Sequence, residues 1–573
     1  MQQPPADWPP PPPPWATGDE PGRRRRSLAV GLASFVLAGG AALGALTAFT
    51  LLRAPGDALG PMVPESSVIY VNAEIQPSGT QALTLSALAA KFPILSDSVS
   101  RARWVDSLID DALSGSGLDA GDVLPWLGPQ VGLSVDPEVL SSGDSGGGYA
   151  VYVSTDDASA TQSALQKYQS AESANTGGVS HSFTTQAYQG VTITAVTENP
   201  GGVVVSYAIV DNVLVLAGST SYLEEIVDTE QGRDPSIDSN ADYQQVIGQL
   251  PTDRLGLFFM DYPKLVSMLQ SESSNPQGEG VSLQPELDLL QAYRGMGVGV
   301  EAQPDGLAID SVTDYDASQL GADEQALLGT TPDHNAAAAL TPAGVVAFYG
   351  FTGTQYLVRE LVDALKNLSP DVGSFLGQSG VGTALADLTG DLGIELDDHA
   401  GTPAGALIVG TSDPAATRQF LDSTIPSVIG QTIVPGETGP APSLTHVTDD
   451  GVDITVYSLP GAGLSLAWTV TGGEAILATS PAELEAIIAT TQGAPSLAQS
   501  TGYAQTAGSQ PSVAVGYIDM SQLTPLIEQI LGTANQASFE ANVLPNLRPI
   551  SSISVTVTNG SGEIGDHTLI EVP

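Results

Sequence analysis

Short stretches of the chain alternate between apolar and polar residues, and turn-forming residues separate them. The segment VTIT at 191–194 alternates in this way, which is typical of a β-strand with one solvated face. Asp211-Asn212 and Gly472-Gly473 each lie between two β-rich runs. Both dipeptides tolerate the positive φ that a two-residue hairpin turn requires. The pattern predicts antiparallel strands that are joined by tight hairpins.

Other stretches carry apolar residues at helical spacing. Such stripes run over 104–113 and 357–368, and they predict helices with one buried face. Ser480-Pro481-Ala482-Glu483 has the sequence of a helix N-terminus with a capping box, and Ser219 or Ser221 caps the corresponding earlier helix. Asp261 and Asp519 each follow a predicted strand and precede a predicted helix. We interpret these two residues as N-caps rather than as catalytic acids.

These elements occur twice in the same order. YQGVTITAV (188–196) and DDGVDITVY (449–457) are separated by 261 positions, as are Ser219 and Ser480. Each copy ends with a predicted hairpin, which turns at 304–306 in the first and at 559–560 in the second. Strand runs without regular βαβ alternation favour an α+β fold. The sequence therefore predicts two tandem pseudo-repeats, 60–329 and 330–573, each a mainly antiparallel sheet with helices on one face.

The N-terminal part predicts a membrane anchor. Residues 27–52 carry no charge, and their length suits a transmembrane helix. Arg23–Arg26 precede this run, which places the proline-rich tail (1–26) in the cytoplasm and residues 57–573 outside, after a short linker at 53–59. A cleaved signal peptide is the alternative, but the apolar run is nearly twice the usual length of a signal core. Pro9–Pro14 predict an extended polyproline rod, either a spacer or a site for a cytoplasmic partner.

Composition restricts the partners of the exterior part. The chain has 64 acidic and 17 basic residues. Residues 1–56 contain 3 of the acidic and 5 of the basic ones, so residues 57–573 contain 61 acidic and 12 basic side chains. Because nucleic acid and anionic headgroups are bound mainly by Lys and Arg, nucleic-acid binding is excluded. The acidity favours solubility outside the cell or tolerance of salt rather than cation binding. The chain has no cysteine, so the core alone must hold the fold.

Three segments carry a resemblance to a known family: VPESSVIYVNAEIQPSG (63–79), KFP (91–93) and DVLPWLGPQVGLSV (122–135). Behind an N-terminal anchor, they are similar to a family of actinobacterial, membrane-anchored envelope proteins that is known only as a domain of unknown function. The resemblance covers most of residues 60–573. It implies a bacterial extracytoplasmic protein, and it implies no activity and no site residues. The second copy departs from the pattern, with IELDDHAGTPAG (394–405) where the first has DVLPWLG.

One serine has the sequence context of a protease nucleophile. Ser145 lies in GDSGG (143–147), but in trypsin-like proteases the base histidine precedes the serine, and the first histidine here is His181. An α/β-hydrolase serine needs a strand, a sharp elbow and a helix around it, whereas Ser145 lies in a glycine-rich segment before a predicted strand. We interpret the segment as a flexible glycine loop.

Metal and phosphate motifs give no assignment. The sequence contains no H-E-x-x-H, no P-loop and no S-x-x-K, which removes the zinc proteases, P-loop proteins and acyl enzymes that carry them. Asp397-Asp398-His399 is the densest cluster of ligand-type residues, and Asp234, Asp238 and Asp242 form a second, but neither has calcium-loop spacing. We therefore assign no catalytic, cofactor-binding or metal-binding residue and no cofactor. A catalytic carboxylate pair stays open.

The sequence favours a non-catalytic envelope protein, a binding or scaffolding module held outside the membrane. The alternative is a carrier of lipid or another apolar ligand, because a curved sheet covered by helices offers an apolar cleft. A hydrolase of cell-wall polymer is the third hypothesis. The predicted partners are the membrane through 27–52, an envelope protein or lipid ligand, and a cytoplasmic partner of the tail. A large apolar cavity in the structure would favour the carrier.

Overall fold

The structure is a computed structural model. It describes residues 57–77, 79–96, 109–110, 113, 116–137, 148–174, 180–199, 203–273, 287, 290–356, 358, 381–399, 401–432, 442–449, 451–460 and 464–573. The predicted span at 27–52, the proline-rich tail and Ser145 lie outside these residues, as do most of the stripes at 104–113 and 357–368. Across the described residues, no helix combines the length and the apolar character that crossing a membrane requires.

The described part contains twenty strands, and they pair with one another in the antiparallel sense. The strands are β1 (Ile69–Glu74), β2 (Leu127–Val135), β3 (Tyr149–Thr155), β4 (Ser180–Tyr188), β5 (Val191–Asn199), β6 (Val203–Val210), β7 (Val213–Ala217), β8 (Gly256–Asp261), β9 (Tyr293–Gln303), β10 (Gly306–Tyr315), β11 (Ala347–Thr352), β12 (Leu388–His399), β13 (Thr402–Thr411), β14 (Ser443–Asp449), β15 (Val452–Leu459), β16 (Leu464–Thr471), β17 (Glu474–Ala478), β18 (Ala514–Asp519), β19 (Ser552–Asn559) and β20 (Glu563–Glu571). This agrees with the predicted mainly antiparallel sheet.

Helices occur between the strands without regular βαβ alternation, as an α+β fold requires. They are α1 (Gly79–Ala89), α2 (Pro93–Ser96), α3 (Ala120–Val123), α4 (Ala158–Ala174), α5 (Thr220–Glu230), α6 (Ala241–Ile247), α7 (Tyr262–Ser273), α8 (Ala322–Leu328), α9 (Val381–Ala386), α10 (Pro414–Thr432), α11 (Pro481–Thr491), α12 (Thr501–Gln505), α13 (Met520–Asn542) and α14 (Leu544–Leu547).

The described residues form two compact units. The first contains 57–76 and 109–237, and the second contains 77–96 and 238–573. In the first unit the strand order is β1-β2-β3-β7-β6-β5-β4. The first unit therefore holds the first seven strands of the first copy of the repeat.

The second unit contains the rest of the first copy and all described strands of the second. Its strand order is β8-β9-β10-β20-β19-β18-β11-β12-β13-β17-β16-β15-β14. The series β11-β12-β13-β17-β16-β15-β14 repeats the order of β1 to β7 in the first unit, which confirms the internal repeat. The two copies meet where β10 pairs with β20, from Gly306 opposite Glu571 to Asp314 opposite Glu563.

Helices cover both faces of the sheet, so the prediction of helices on one face is wrong. Successive side chains of a strand point to opposite faces. In β3, Val153 lines a space beneath α4, whereas the hydroxyl of its neighbour Tyr152 lies 2.9 Å from Ser134 Oγ, which in turn lies 2.8 Å from the Tyr222 hydroxyl of α5. The second copy has the same arrangement. Ala467 and Trp468 are neighbours in β16, but Ala467 packs in the core around α11 and Trp468 packs in the core around α10. Buried strands with two apolar faces need a cover on each side.

Local predictions of turns and caps are confirmed. Asp211 and Asn212 have φ of 41° and 61°, and Gly472 and Gly473 have φ of 62° and 90°, as a type I′ hairpin requires. Ser219 Oγ accepts from Tyr222 N at 3.1 Å, and Ser480 Oγ accepts from Glu483 N at 3.1 Å. Asp261 Oδ1 accepts from Lys264 N at 3.0 Å, and Asp519 Oδ1 accepts from Ser521 N at 2.8 Å. The four side chains are thus N-caps.

Candidate functional site

An apolar cavity lies inside the first unit, between α4 and one face of the sheet. Its volume is about 60 Å³, and only apolar atoms face it. Most of its walls come from β3, β6, β7 and α4, together with the segment before β2. The lining residues are Ile109, Leu113, Ser116, Leu118, Val123, Trp126, Leu127, Val153, Ala164, Leu165, Tyr168, Val205, Tyr207, Leu214 and Leu216.

The position of α4 over this cavity is fixed at its N-terminus. Asp157 Oδ1 accepts from Ala160 N at 3.0 Å, and the hydroxyls of Thr155 and Thr161 lie 2.7 Å apart. These bonds attach the first turn of α4 to the end of β3, so Ala164, Leu165 and Tyr168 face the sheet. Ala164 has only a methyl group, which leaves space above the strands.

The two tyrosines of the cavity point their polar ends away from it. The Tyr207 hydroxyl accepts a hydrogen bond from Gln169 Nε2, and Tyr168 packs edge-on against Phe183 at a centroid distance of 5.9 Å. Burial raises the pKa of both phenols, so both are uncharged near neutral pH. The cavity therefore offers an uncharged apolar surface, which suits a hydrocarbon group rather than a polar one.

Two positions of the layer that contains the cavity carry larger side chains in the second copy, whereas the same alignment places Thr424 at the position of Tyr168 and Ala475 at that of Leu214. Thr411 and Thr417 repeat the Thr155 and Thr161 contact at 2.6 Å, which aligns Phe420 of α10 with Ala164. Strand register likewise aligns Trp468 with Tyr207, because Ala467 pairs with Ala478 as Ser206 pairs with Ala217. Trp468 is 0% exposed and Phe420 packs against the same cluster. Aromatic rings thus occupy in the second copy the layer in which the first copy has its cavity.

A second group of interest lies on the other face of the second copy. Glu395, Asp397 and His399 alternate along β12 and therefore share one face. Glu483, at the third position of α11, covers this face, and His399 Nε2 lies 2.6 Å from Glu483 Oε2. Glu395 is 4% exposed and Glu483 is 0% exposed. Burial and the adjacent Glu483 carboxylate raise the pKa of Glu395 to about 10, and burial raises the pKa of Asp397.

This arrangement corrects the capping-box interpretation of Glu483. In a capping box the glutamate reaches back to its own N-cap. Here the Glu483 side chain turns inward to His399, while its backbone N–H still donates to Ser480. The sequence could not reveal this, because the partner of Glu483 lies 84 positions earlier in the chain.

The first copy has hydroxyl groups where the second has carboxylates. Tyr70 pairs with Ser134 as Phe348 pairs with Glu395, so Ser134 corresponds to Glu395. Counting from the N-caps, Tyr222 corresponds to Glu483. IELDDHAG therefore corresponds to LSVDPEVL (133–140), and the expectation that it replaces DVLPWLG is wrong. In the first copy the hydroxyls of Ser67, Ser134, Tyr152 and Tyr222 form a connected hydrogen-bonded network.

The acidic clusters that the sequence suggested are only partly formed. Asp398 does not join Asp397 and His399, because it points to the other face of β12 and its Oδ1 accepts from Gly401 N at 2.7 Å. In the second cluster, burial raises the pKa of Asp242, and the charge of Asp261 adds to this effect.

An open cleft of about 750 Å³ lies in the second unit beside α13. Its volume is in the range of small-molecule sites. Asp519, Glu528, Glu571 and Arg548 line it together with several hydroxyl and aliphatic side chains. Glu571 Oε2 accepts from the hydroxyls of Ser551 and Ser552 at 2.6 and 2.8 Å. This lining is more polar than that of the apolar cavity beneath α4.

The family pattern described as "Protein of unknown function (DUF3352)" matches the chain twice, at residues 29–399 and 382–564. The chain belongs to the DUF3352 family. The double match agrees with the internal repeat and confirms the resemblance to a domain of unknown function.

Comparison with solved structures finds two crystal forms of TP0453. The alignment with crystal form III covers 48% of the DUF3352 chain and 87% of the TP0453 chain, at 9% sequence identity and a TM-score of 0.24. Form I covers 49% and 89%, also at 9% identity and a TM-score of 0.24. No curated protein matches the chain.

Proposed function

We propose that this chain is a non-catalytic binding protein of the bacterial envelope, anchored by residues 27–52, whose first copy binds an apolar ligand such as the acyl chain of a lipid. The observation that carries the proposal is the apolar cavity beneath α4, together with the filling of the corresponding layer by Phe420 and Trp468 in the second copy. The same fold therefore accepts Phe420 and Trp468 in the layer that contains the cavity in the first copy.

The size of the cavity determines how a ligand enters. At about 60 Å³ it is smaller than the cavity of about 150 Å³ that accepts benzene in an engineered protein. The cavity accommodates only the end of an acyl chain. A longer part of the acyl chain enters only if α4 moves away from the sheet. Such a movement must break contacts along the whole helix, among them the hydrogen bond from Gln169 to Tyr207 and the contact of Glu172 with His181 at 2.8 Å.

A photoreactive fatty acid tests the proposal in native membranes. Diazirine-labelled palmitic acid is added to membranes that contain the full-length chain, and after illumination the labelled peptides are identified by mass spectrometry. We expect labelling within 158–174 and 203–217. Ala164→Phe introduces the side chain that the second copy has at this position, and it should reduce the labelling about fivefold or more by occupying the cavity.

Ser163→Phe is the matched control, because Ser163 is the preceding residue of α4 and is exposed. It adds the same ring to the outer face of the helix and should leave labelling unchanged. Thermal unfolding of both variants verifies that they fold. Equal labelling of the wild-type chain and Ala164→Phe, or no labelling of either segment, would contradict the proposal.

The location outside the membrane rests on the charge asymmetry of Arg23–Arg26 against Arg53. Protease added to intact spheroplasts should digest residues 57–573 and spare the proline-rich tail. A mature N-terminus near residue 49 in secreted material would show that the apolar run is a cleaved signal.

A further inference from the structure

Two carboxylates of the second copy are buried with unsatisfied oxygens. Both oxygens of Glu395, and Oε1 of Glu483, have no hydrogen-bond partner among the residues that the structure describes. The carboxyl groups of Glu395 and Glu483 are close enough to share a proton, and the Thr341 hydroxyl, which also lies beside Glu395, donates to Ala337 O at 3.1 Å. A buried carboxylate without partners is unfavourable, so the two groups must either share a proton or bind a counter-charge.

Metal-ligating atoms converge at the same place. One ligand atom each of Asp397, His399 and Glu483 lies within 4.8 Å of the other two. Two of these residues, with Glu395, share one face of a regular strand, and Glu483 comes from the first turn of a capped helix, so rigid elements position all four. Glu395, which is 4% exposed, lies beside Glu483 at the buried side of this group.

The first copy has an acid, Asp136, at the position of Asp397, but it shows that the fold does not require charge at the positions of Glu395 and Glu483. At the positions of Glu395 and Glu483 it has Ser134 and Tyr222, whose hydroxyls lie 2.8 Å apart and satisfy each other. The second copy replaces two satisfied neutral groups by two carboxylates and adds a histidine. A bound cation accounts for this replacement, because it neutralises the carboxylates and uses the ring nitrogen of His399.

We propose that Asp397, His399 and Glu483, with Glu395 completing the set, bind a divalent transition-metal ion of the Zn²⁺ or Mn²⁺ class. An imidazole nitrogen combined with carboxylate oxygens suits these ions, whereas Mg²⁺ and Ca²⁺ prefer oxygen ligands alone. The side chain of His399 is 33% exposed, which gives the ion access from solvent. The site is distinct from the apolar cavity, so its test does not depend on the proposed function.

Metal binding to the full-length chain in detergent tests the proposal. After EDTA treatment and dialysis against ZnCl₂ or MnCl₂, the bound metal is counted by plasma mass spectrometry and the affinity is measured by titration calorimetry. We expect one ion per chain. Asp397→Asn and His399→Asn should each weaken binding about tenfold or more, since each removes a ligand and even partners outside the ligand set change affinity 10 to 100-fold.

Asp398→Asn is the matched control, because it removes one negative charge next to the site while its amide oxygen can still accept from Gly401. It should change the affinity by less than about twofold, since Asp398 is on the opposite face of β12, is partly exposed to solvent and is therefore screened. A second control, His567→Asn, removes another histidine that pairs with a carboxylate, at 2.7 Å from Asp310, and should also have no effect.

The Co²⁺ form provides a readout that does not depend on stability. Its visible absorption should be altered in His399→Asn and unchanged in Asp398→Asn. Each variant is compared with the wild-type chain in thermal unfolding without metal, and the ion should raise the unfolding temperature of the wild-type chain and of the two controls more than that of Asp397→Asn and His399→Asn. Absence of stoichiometric binding by the wild-type chain, or equal affinities for wild type, Asp397→Asn and His399→Asn, would show that the buried carboxylates share a proton instead.

Discussion

Glu483 stands at the third position of α11, where glutamate often serves its own helix. In this protein Ser480 alone caps the helix and Glu483 is committed to the interior. Tyr222 holds the corresponding position in α5 and likewise turns inward. The third residue of the helix therefore connects α5 to β2 in the first copy and α11 to β12 in the second. In both copies the serine alone caps the N-terminus of the helix.

The cap serines give a test with an internal control. The sequence left Ser219 and Ser221 as alternatives, and the structure assigns the cap to Ser219, whose Oγ accepts from Tyr222 N. Ser219→Ala should lower the free energy of unfolding by about 1 kcal/mol, since it leaves a helix N–H without its acceptor. Ser221→Ala should change it by less than about 0.5 kcal/mol. Urea denaturation measures both, and equal losses would disprove the assignment.

His567 gives the protein a pH-dependent contact. Its hydrogen bond to Asp310 raises the pKa of His567, as do the charges of Glu301 and Asp305, against the opposing effect of burial. Because the folded pKa is the higher one, the contact stabilises fully below about pH 6.5 and is lost as the pH rises through the folded pKa.

His567→Asn should therefore reduce stability at pH 5.5 and have no effect at pH 9. The expected loss at pH 5.5 is about 0.2 to 1 kcal/mol, because both side chains are partly exposed to solvent. Urea denaturation at the two pH values measures it, and a loss that is larger at pH 9 would contradict the sign.

Hairpin turns could be predicted because their chemistry is local. Asp211-Asn212 and Gly472-Gly473 are among the few dipeptides that accept two consecutive positive φ values. Strand order could not be predicted, because some neighbouring strands are distant in the chain. Examples are β11, which pairs with β18, and β10, which pairs with β20. The location of the cavity also escaped prediction, since it depends on Ala164 of α4 and Tyr207 of β6 lining the same space and on a register that only the structure gives.

The turn between β16 and β17 provides the next test. Gly473 has φ of 90°, and no atom lies within 4 Å of the place where a Cβ would stand, so a side chain meets no clash and only backbone strain. Gly473→Ala should cost about 1 to 2 kcal/mol. Gly344→Ala also has open space but no positive φ, and it should be nearly neutral. Similar costs for the two variants in thermal unfolding would show that strain is not the cause.

Strand β20 completes the sheet of the second unit, because it lies between β10 of the first copy and β19 of the second. The two copies are thus parts of one hydrogen-bonded sheet within this unit. Without β20, both neighbouring strands would expose unpaired N–H and C=O groups, which favour association with other chains.

Removal of residues 560–573 should therefore produce self-association. We expect the mass by light scattering to rise with protein concentration, whereas the full-length chain and a variant that lacks only Pro573 keep a constant mass. A truncated chain with the mass of the full-length protein at all concentrations would show that the exposed edges are covered in another way.

The pairing of β10 with β20 also means that β10 is synthesised well before the strand that covers its edge. Asp310 and His567, which face each other across this pair, are 257 positions apart, and a ribosome adds about 5 to 20 residues per second. Once β10 has been made, about 10 to 50 s pass before β20 exists to cover its edge. During that interval a nascent chain presents an open strand to its neighbours, and association between two such chains competes with completion of the fold.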